Sequence, residues 1–164
     1  MKETPTTGCI EMSEEDIENA LQGMVTLQER MVHLIQQLSM PLVEVSMVIS
    51  KQISGLMKSL NEHVEISGES FPSNVLKPWE LTDIDAESSS VQSSFELEKV
   101  MSIVDEQRMD ILDTLIRVTL IEADFTLADA LLALRPWEQI ARTQLSKVNG
   151  PGQLFSPIEI PEDW

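Results

Sequence analysis

The sequence predicts an all-α protein, an elongated helical bundle of coiled-coil character. Two heptad runs carry that prediction, and the composition supports it. Stepping by fours and threes from Ile17 gives Ile17, Leu21, Met24, Gln28, Met31, Ile35, Leu38, Leu42, Val45, Ile49, Gln52, Leu56 and Ser59, of which ten of thirteen are apolar. That is the spacing of one helix face sustained over almost six heptads. A second run, Val100, Val104, Gln107, Ile111, Thr114, Val118, Ile121, Phe125, Ala128 and Leu132, has eight apolar members in ten. Aromatic residues make up only 4 %, with no Tyr and nine Met. A core of Leu, Ile, Val and Met suits helix on helix, and six Gly in 164 residues leave few turns for an all-β chain.

The elements follow in order. Residues 1–12 show no period and read as a flexible arm. Ser13 followed by Glu14, Glu15 and Asp16 is a capping-box-like start, with the acids placed where the helix dipole favours negative charge. A helix is therefore expected to begin near Glu14. Leu27, Leu34, Val48, Ile53 and Leu60 widen its stripe beyond two positions per heptad, which suits a multi-helix bundle. Pro41 costs about 3 kcal/mol inside a helix. Because the heptad phase runs through it unbroken, the expectation is one long helix over 13–63, kinked at Pro41. The alternative is two helices, roughly 14–39 and 41–62, meeting at a sharp corner.

Residues 64–94 hold Gly68, Pro72, Pro78 and a serine cluster (Ser88, Ser89, Ser90, Ser93, Ser94) among Asp83, Asp85 and Glu87, the composition of a linker. Ser93 with Glu96 is a second capping box, opening a helical segment over 95–148. Thr126 with Asp129 can restart the helix after a break near Asp124. Arg135-Pro136 is expected to end it, with Pro136 at the first position of a short last helix reaching about Lys147. Asn149-Gly150-Pro151-Gly152 stops that helix. Residues 149–164 then form an extended tail whose Leu154, Phe155, Ile158, Ile160 and Trp164 make it too apolar to be merely solvated, so it is expected to dock.

Charge and motif content narrow the function. Against 28 acidic residues stand 11 basic ones, all single, for a net charge of −17. A phosphate backbone or an anionic membrane needs a basic stripe, so neither nucleic acid nor membrane is expected as a partner. A lone Cys9 makes neither an internal disulfide nor a metal site. The longest mostly apolar stretch, Leu38 to Ile49, is too short to span a bilayer and there is no signal-peptide core, so a cytoplasmic place, or one inside a virus particle, is expected rather than secretion. No metal spacing, phosphate-cradling glycine loop or nucleophile elbow is present. His33 and His63 lie in or beside the first heptad run, where a helix tolerates them without catalytic purpose. Neither catalysis nor a cofactor is expected.

Contact with other proteins is the remaining class. Met24, Met31, Met40, Met47 and Met57 recur along the first run, and flexible thioethers suit either core filling or a surface that fits varied apolar partners. Met24, Met31, Leu38, Leu42, Val45 and Ile49 are the candidate seam for a partner helix, itself or another chain. Leu76-Lys77-Pro78-Trp79-Glu80 and Leu134-Arg135-Pro136-Trp137-Glu138 match in pattern but not in surroundings, and proline at a helix start beside a packing Trp accounts for both. Phe155, Ile158, Ile160 and Trp164 are the candidate docking residues of the tail. Its end, Ile158-Glu159-Ile160-Pro161-Glu162-Asp163-Trp164, resembles the acidic, aromatic-ended tips with which bacterial and phage single-stranded-DNA-binding proteins recruit partners. That likeness covers about seven residues and no OB-fold pattern accompanies it, so it implies docking only. The tail can equally fold back on its own bundle or on a neighbouring subunit. The expected function is that of an adaptor, small chaperone or structural subunit, self-association included. The alternative is an acidic nucleic-acid mimic that blocks a DNA- or RNA-handling enzyme.

Overall fold

A computed structural model describes residues 13–81 and 97–164. The expected N-terminal arm, the serine cluster, the Ser93–Glu96 capping box and Cys9 lie outside these residues. Helices α1 (Glu14–Leu38), α2 (Leu42–Ser67), α3 (Ser73–Leu76), α4 (Leu97–Ile103), α5 (Glu106–Glu122), α6 (Leu127–Ser146) and α7 (Pro151–Leu154) account for the fold, and the described residues hold no strand. The protein is an all-α helical bundle.

Local chemistry sets the helix ends. Ser13 accepts from the Asp16 backbone while the Asp16 carboxylate reaches back to the Ser13 backbone, a complete capping box. In place of one helix kinked at Pro41, the structure has two. Ser39 takes a left-handed conformation (φ 46°), its N–H reaches Gln36 O, and the Met40 N–H reaches Ile35 O at 3.0 Å. This pairing satisfies the last carbonyls of α1 and turns the chain. Pro41 then stands at the N-cap of α2 (φ −62°, ψ 147°), where its missing N–H costs nothing. Gly68, at φ 71°, ends α2 later than the linker boundary expected at residue 64.

The second half departs from expectation at Pro136. The break near Asp124 is real: Asp124 is left-handed (φ 52°) and the Thr126 hydroxyl caps α6 by accepting from Asp129 N at 3.1 Å. Yet α6 then runs through Pro136 without stopping. A mid-helix proline costs about 3 kcal/mol. Apolar burial of Leu134 and Trp137 beside it offsets that cost, and the desolvated Arg135 is satisfied by Val75 O and Glu138.

Four long helices enclose the core. α1 and α2 each pack on both α5 and α6. α1 opposes α5, since Gly23 meets Phe125 while Arg30 binds Thr119. α2 runs alongside α5, Glu44 meeting Arg108 and Gln52 meeting Asp113. The interior holds Leu27, Met31 and Ile35 of α1, and Leu42, Val45, Val48, Ile49, Ile53 and Leu60 of α2. Leu112 and Ile116 of α5, Leu131, Leu134, Trp137 and Ala141 of α6, and Met40, Val75 and Ile158 complete it. A smaller cluster of Val43, Val104 and Leu154 ties α2 to the end of α4 and to α7.

The two matching pentapeptides take different conformations, so Pro at a helix start explains neither. Lys77, in an extended conformation, ends α3 and residues 78–81 form no regular element, whereas Arg135 to Glu138 are helical. α6 holds the segment around the first in place. Buried Arg135 donates from Nε and Nη2 to Val75 O at 3.2 and 2.9 Å, and from Nη1 to Glu138 at 2.8 Å. One and two turns further along α6, Gln139 donates to Glu80 O and Arg142 to Trp79 O.

Candidate functional site

The C-terminal tail docks in cis. After α7 the chain returns to the α1–α2 corner, where Leu42 N donates to Ser156 O at 2.8 Å and Ile158 N donates to Met40 O at 3.1 Å. Gln144 of α6 clamps the backbone of Glu159 from both sides, donating to its carbonyl and accepting from its N–H. Ile158 is buried, and Ile160 and Trp164 pack on the main core. Trp164 meets Trp137 edge to face. Phe155 belongs to the smaller cluster.

This packing also locates the candidate seam. Met31, Leu42, Val45 and Ile49 lie wholly inside the bundle and Leu38 is partly buried against it. They are this chain's own core, and a partner meets them only if the helices open. Met40 is likewise interior, so core filling explains it and Met31. Met24 is half-buried on α1.

The side chains left for a partner are others. At the start of α1, Ile17, Leu21 and Val25 are 46 %, 57 % and 50 % exposed. Spaced by four, they form one line beside the core stripe of Leu27, Met31 and Ile35. On α5, the heptad members Ile111, Thr114, Val118 and Ile121 all face solvent, Ile121 at 79 %. The buried face of that helix is Leu112, Ile116 and Thr119, one residue out of phase with the expected seam. Leu112, Leu115, Ile116 and Leu120 make a second apolar line, and competition between the two lines was visible in the sequence.

Polar pins hold these faces in position. Glu44, fully buried on α2, accepts from Arg108 Nε and Nη2 at 3.0 and 2.7 Å and from Asp105 N at 2.8 Å. The hydrogen bond to Glu44 raises the Arg108 guanidinium above its ordinary value, against the opposing effect of desolvation. Asp105 in turn caps α5 by accepting from Gln107 N and Arg108 N. No spacing rule marked this pin, because its partners are 64 residues apart. Between α1 and the α5–α6 corner lies an open depression of about 600 Å³, edged by Asp16, Glu122, Asp124 and Asp129. Among the described residues no group of three His, Cys, Asp or Glu is arranged to hold a metal ion. No helix there is long and apolar enough to cross a membrane.

Comparison with protein-family models, curated proteins and solved structures gives no match.

Proposed function

We propose that this all-α protein acts without catalysis, as an adaptor, small chaperone or structural subunit that binds other protein chains, its own second copy among them. The observation that carries this reading is the pair of aliphatic lines, Ile17-Leu21-Val25 and Ile111-Val118-Ile121, left open after the core is closed. Scattered apolar residues on a surface need no explanation, but aligned ones at helical spacing are what a partner helix reads. A cytoplasmic or virion setting fits a chain of net charge −17 with one cysteine.

Site-specific photo-crosslinking in the cells that make the protein tests this. A photoreactive residue at Leu21 or at Val118 should give protein adducts, either with itself or with another chain. The same residue at Ser54, exposed on α2, should not. Adducts no more frequent at Leu21 and Val118 than at Ser54 would overturn the interaction reading.

A further inference from the structure

We propose that the open line on α1 docks a basic amphipathic helix of a partner protein. This rests on the interaction reading and goes beyond it by naming the chemistry of the partner. The first observation is the line itself. Ile17, Leu21 and Val25 lie on one side of the helix over about 12 Å, at 1.5 Å per residue. That length suits two turns of a crossing helix with aliphatic residues three, four and seven apart.

The second observation is the charge around it. From Ser13 to Glu29 the chain carries Glu14, Glu15, Asp16, Glu18 and Glu29 and no Lys or Arg. Glu18 lies one turn from Leu21 and two from Val25, and Glu29 lies one turn beyond Val25, so exposed carboxylates edge the apolar line. The first arginine of the helix, Arg30, is turned to the α5 side, where it pairs with Glu122 at 2.6 Å and donates to Thr119 at 3.0 Å. No cation of α1 therefore neutralises that edge from within the helix.

This asymmetry selects the occupant. A second copy laid face to face on the same surface would set Glu14, Glu18 and Glu29 against their own counterparts, and like charge disfavours that contact. An anionic lipid surface is repelled in the same way. Lysines or arginines flanking the apolar line of a partner helix would find carboxylates on arrival, and steering by opposite charge would speed the encounter. The open face of α5 lacks this signature, since Arg117 and Asp110 both border it.

The probe is a fluorescein-labelled amphipathic peptide of four helical turns, leucine on one face and lysine along both edges. Its binding to the full-length chain is followed by fluorescence anisotropy. The expected result is saturable binding with a Kd on the order of tens of micromolar, weakening severalfold as salt rises from roughly 50 to 300 mM. Leu21→Asp should weaken binding by about tenfold or more, and Leu21→Ser, which adds no charge, by a smaller factor. The Glu14→Gln/Glu18→Gln double variant should lose much of the salt dependence. Replacing the leucines of the peptide by serine, or its lysines by glutamate, should abolish binding.

No binding by the wild-type chain overturns the proposal. So does binding that is unchanged by both Leu21 substitutions, since the peptide would then be sensing net charge alone. Crosslinked adducts at Leu21 with no peptide binding would sink the basic-helix assignment and leave the interaction reading standing.

Discussion

Trp164 stands edge-on to Trp137, their ring centroids 4.8 Å apart and their planes at 84°. Trp137 is buried on α6 and Trp164 belongs to the tail that packs on the core, so the contact closes the tail over it. Such an aromatic pair is worth about 1 kcal/mol beyond the area it buries. Removing a half-buried Trp adds about another 1 kcal/mol. Trp164→Ala should therefore lower Tm by about 4–8 °C for a chain of this size. It should also shift the emission of Trp137 to the red. An unchanged melt and spectrum would mean that the tail does not close over α6 in solution.

Gly23 allows α1 to approach the α5–α6 corner. A Cβ there would lie 2.7 Å from Phe125 Cε1 and 2.9 Å from Ala123 Cβ. Alanine would gain about 1 kcal/mol of helix propensity. It would lose about 1–3 kcal/mol to overpacking. Gly23→Ala is thus expected to be net destabilising by about 1 kcal/mol, measured by urea unfolding. Gly23→Ala combined with Phe125→Leu should cost less than the two singles added, because the smaller side chain gives room. Additive costs would show that the ring is not the obstacle.

What was legible in the sequence was local. Ser13 and Thr126 signal helix starts through side chains that bond to the backbone within three residues, and both caps form as expected. Pro41 left two geometries open because the deciding residue, Ser39, carries no mark of its left-handed turn. Pro136 misled because its cost is outweighed by apolar burial of Leu134 and Trp137, which tertiary packing alone decides. The tail was readable as a docking element from Ile158, Ile160 and Trp164, but not as one that docks on its own bundle. The seam residues were readable as a set. Which of them face inward depends on where α5 and α6 lie, and α5 offers two apolar lines to choose from.

Glu44 pins the start of α5 to α2. Glu44→Ala would leave Arg108 without its bidentate partner and Asp105 N without an acceptor. Breaking a buried ion pair costs about 3–5 kcal/mol. Arg108 is a third exposed and can rehydrate, which reduces the expected loss to about 2 kcal/mol. Glu44→Gln, which keeps one acceptor oxygen, should lose roughly half of that. The check is the urea midpoint at unchanged slope. A loss for Glu44→Ala no larger than that of an exposed control such as Glu65→Ala would show that the pin contributes nothing.

The phase of α5 decides which face is the core and which is for a partner, and paired substitutions on neighbouring residues read it directly. Ile116 is wholly buried against α1 and α2, while Val118, two residues on, is 44 % exposed. Ile116→Ala should cost about 3 kcal/mol through lost burial and a residual cavity. Ile111→Ala, Val118→Ala and Ile121→Ala should each stay within about 0.5 kcal/mol of wild type. The expected seam makes the opposite forecast, with Ile111 and Val118 costly and Ile116 cheap. Thermal unfolding of these four variants separates the two phases. If the open face meets a partner, Ile121→Asp should abolish crosslinking at Val118 while leaving the melt intact. Stability and association would then be carried by two faces of one helix, a residue apart in register.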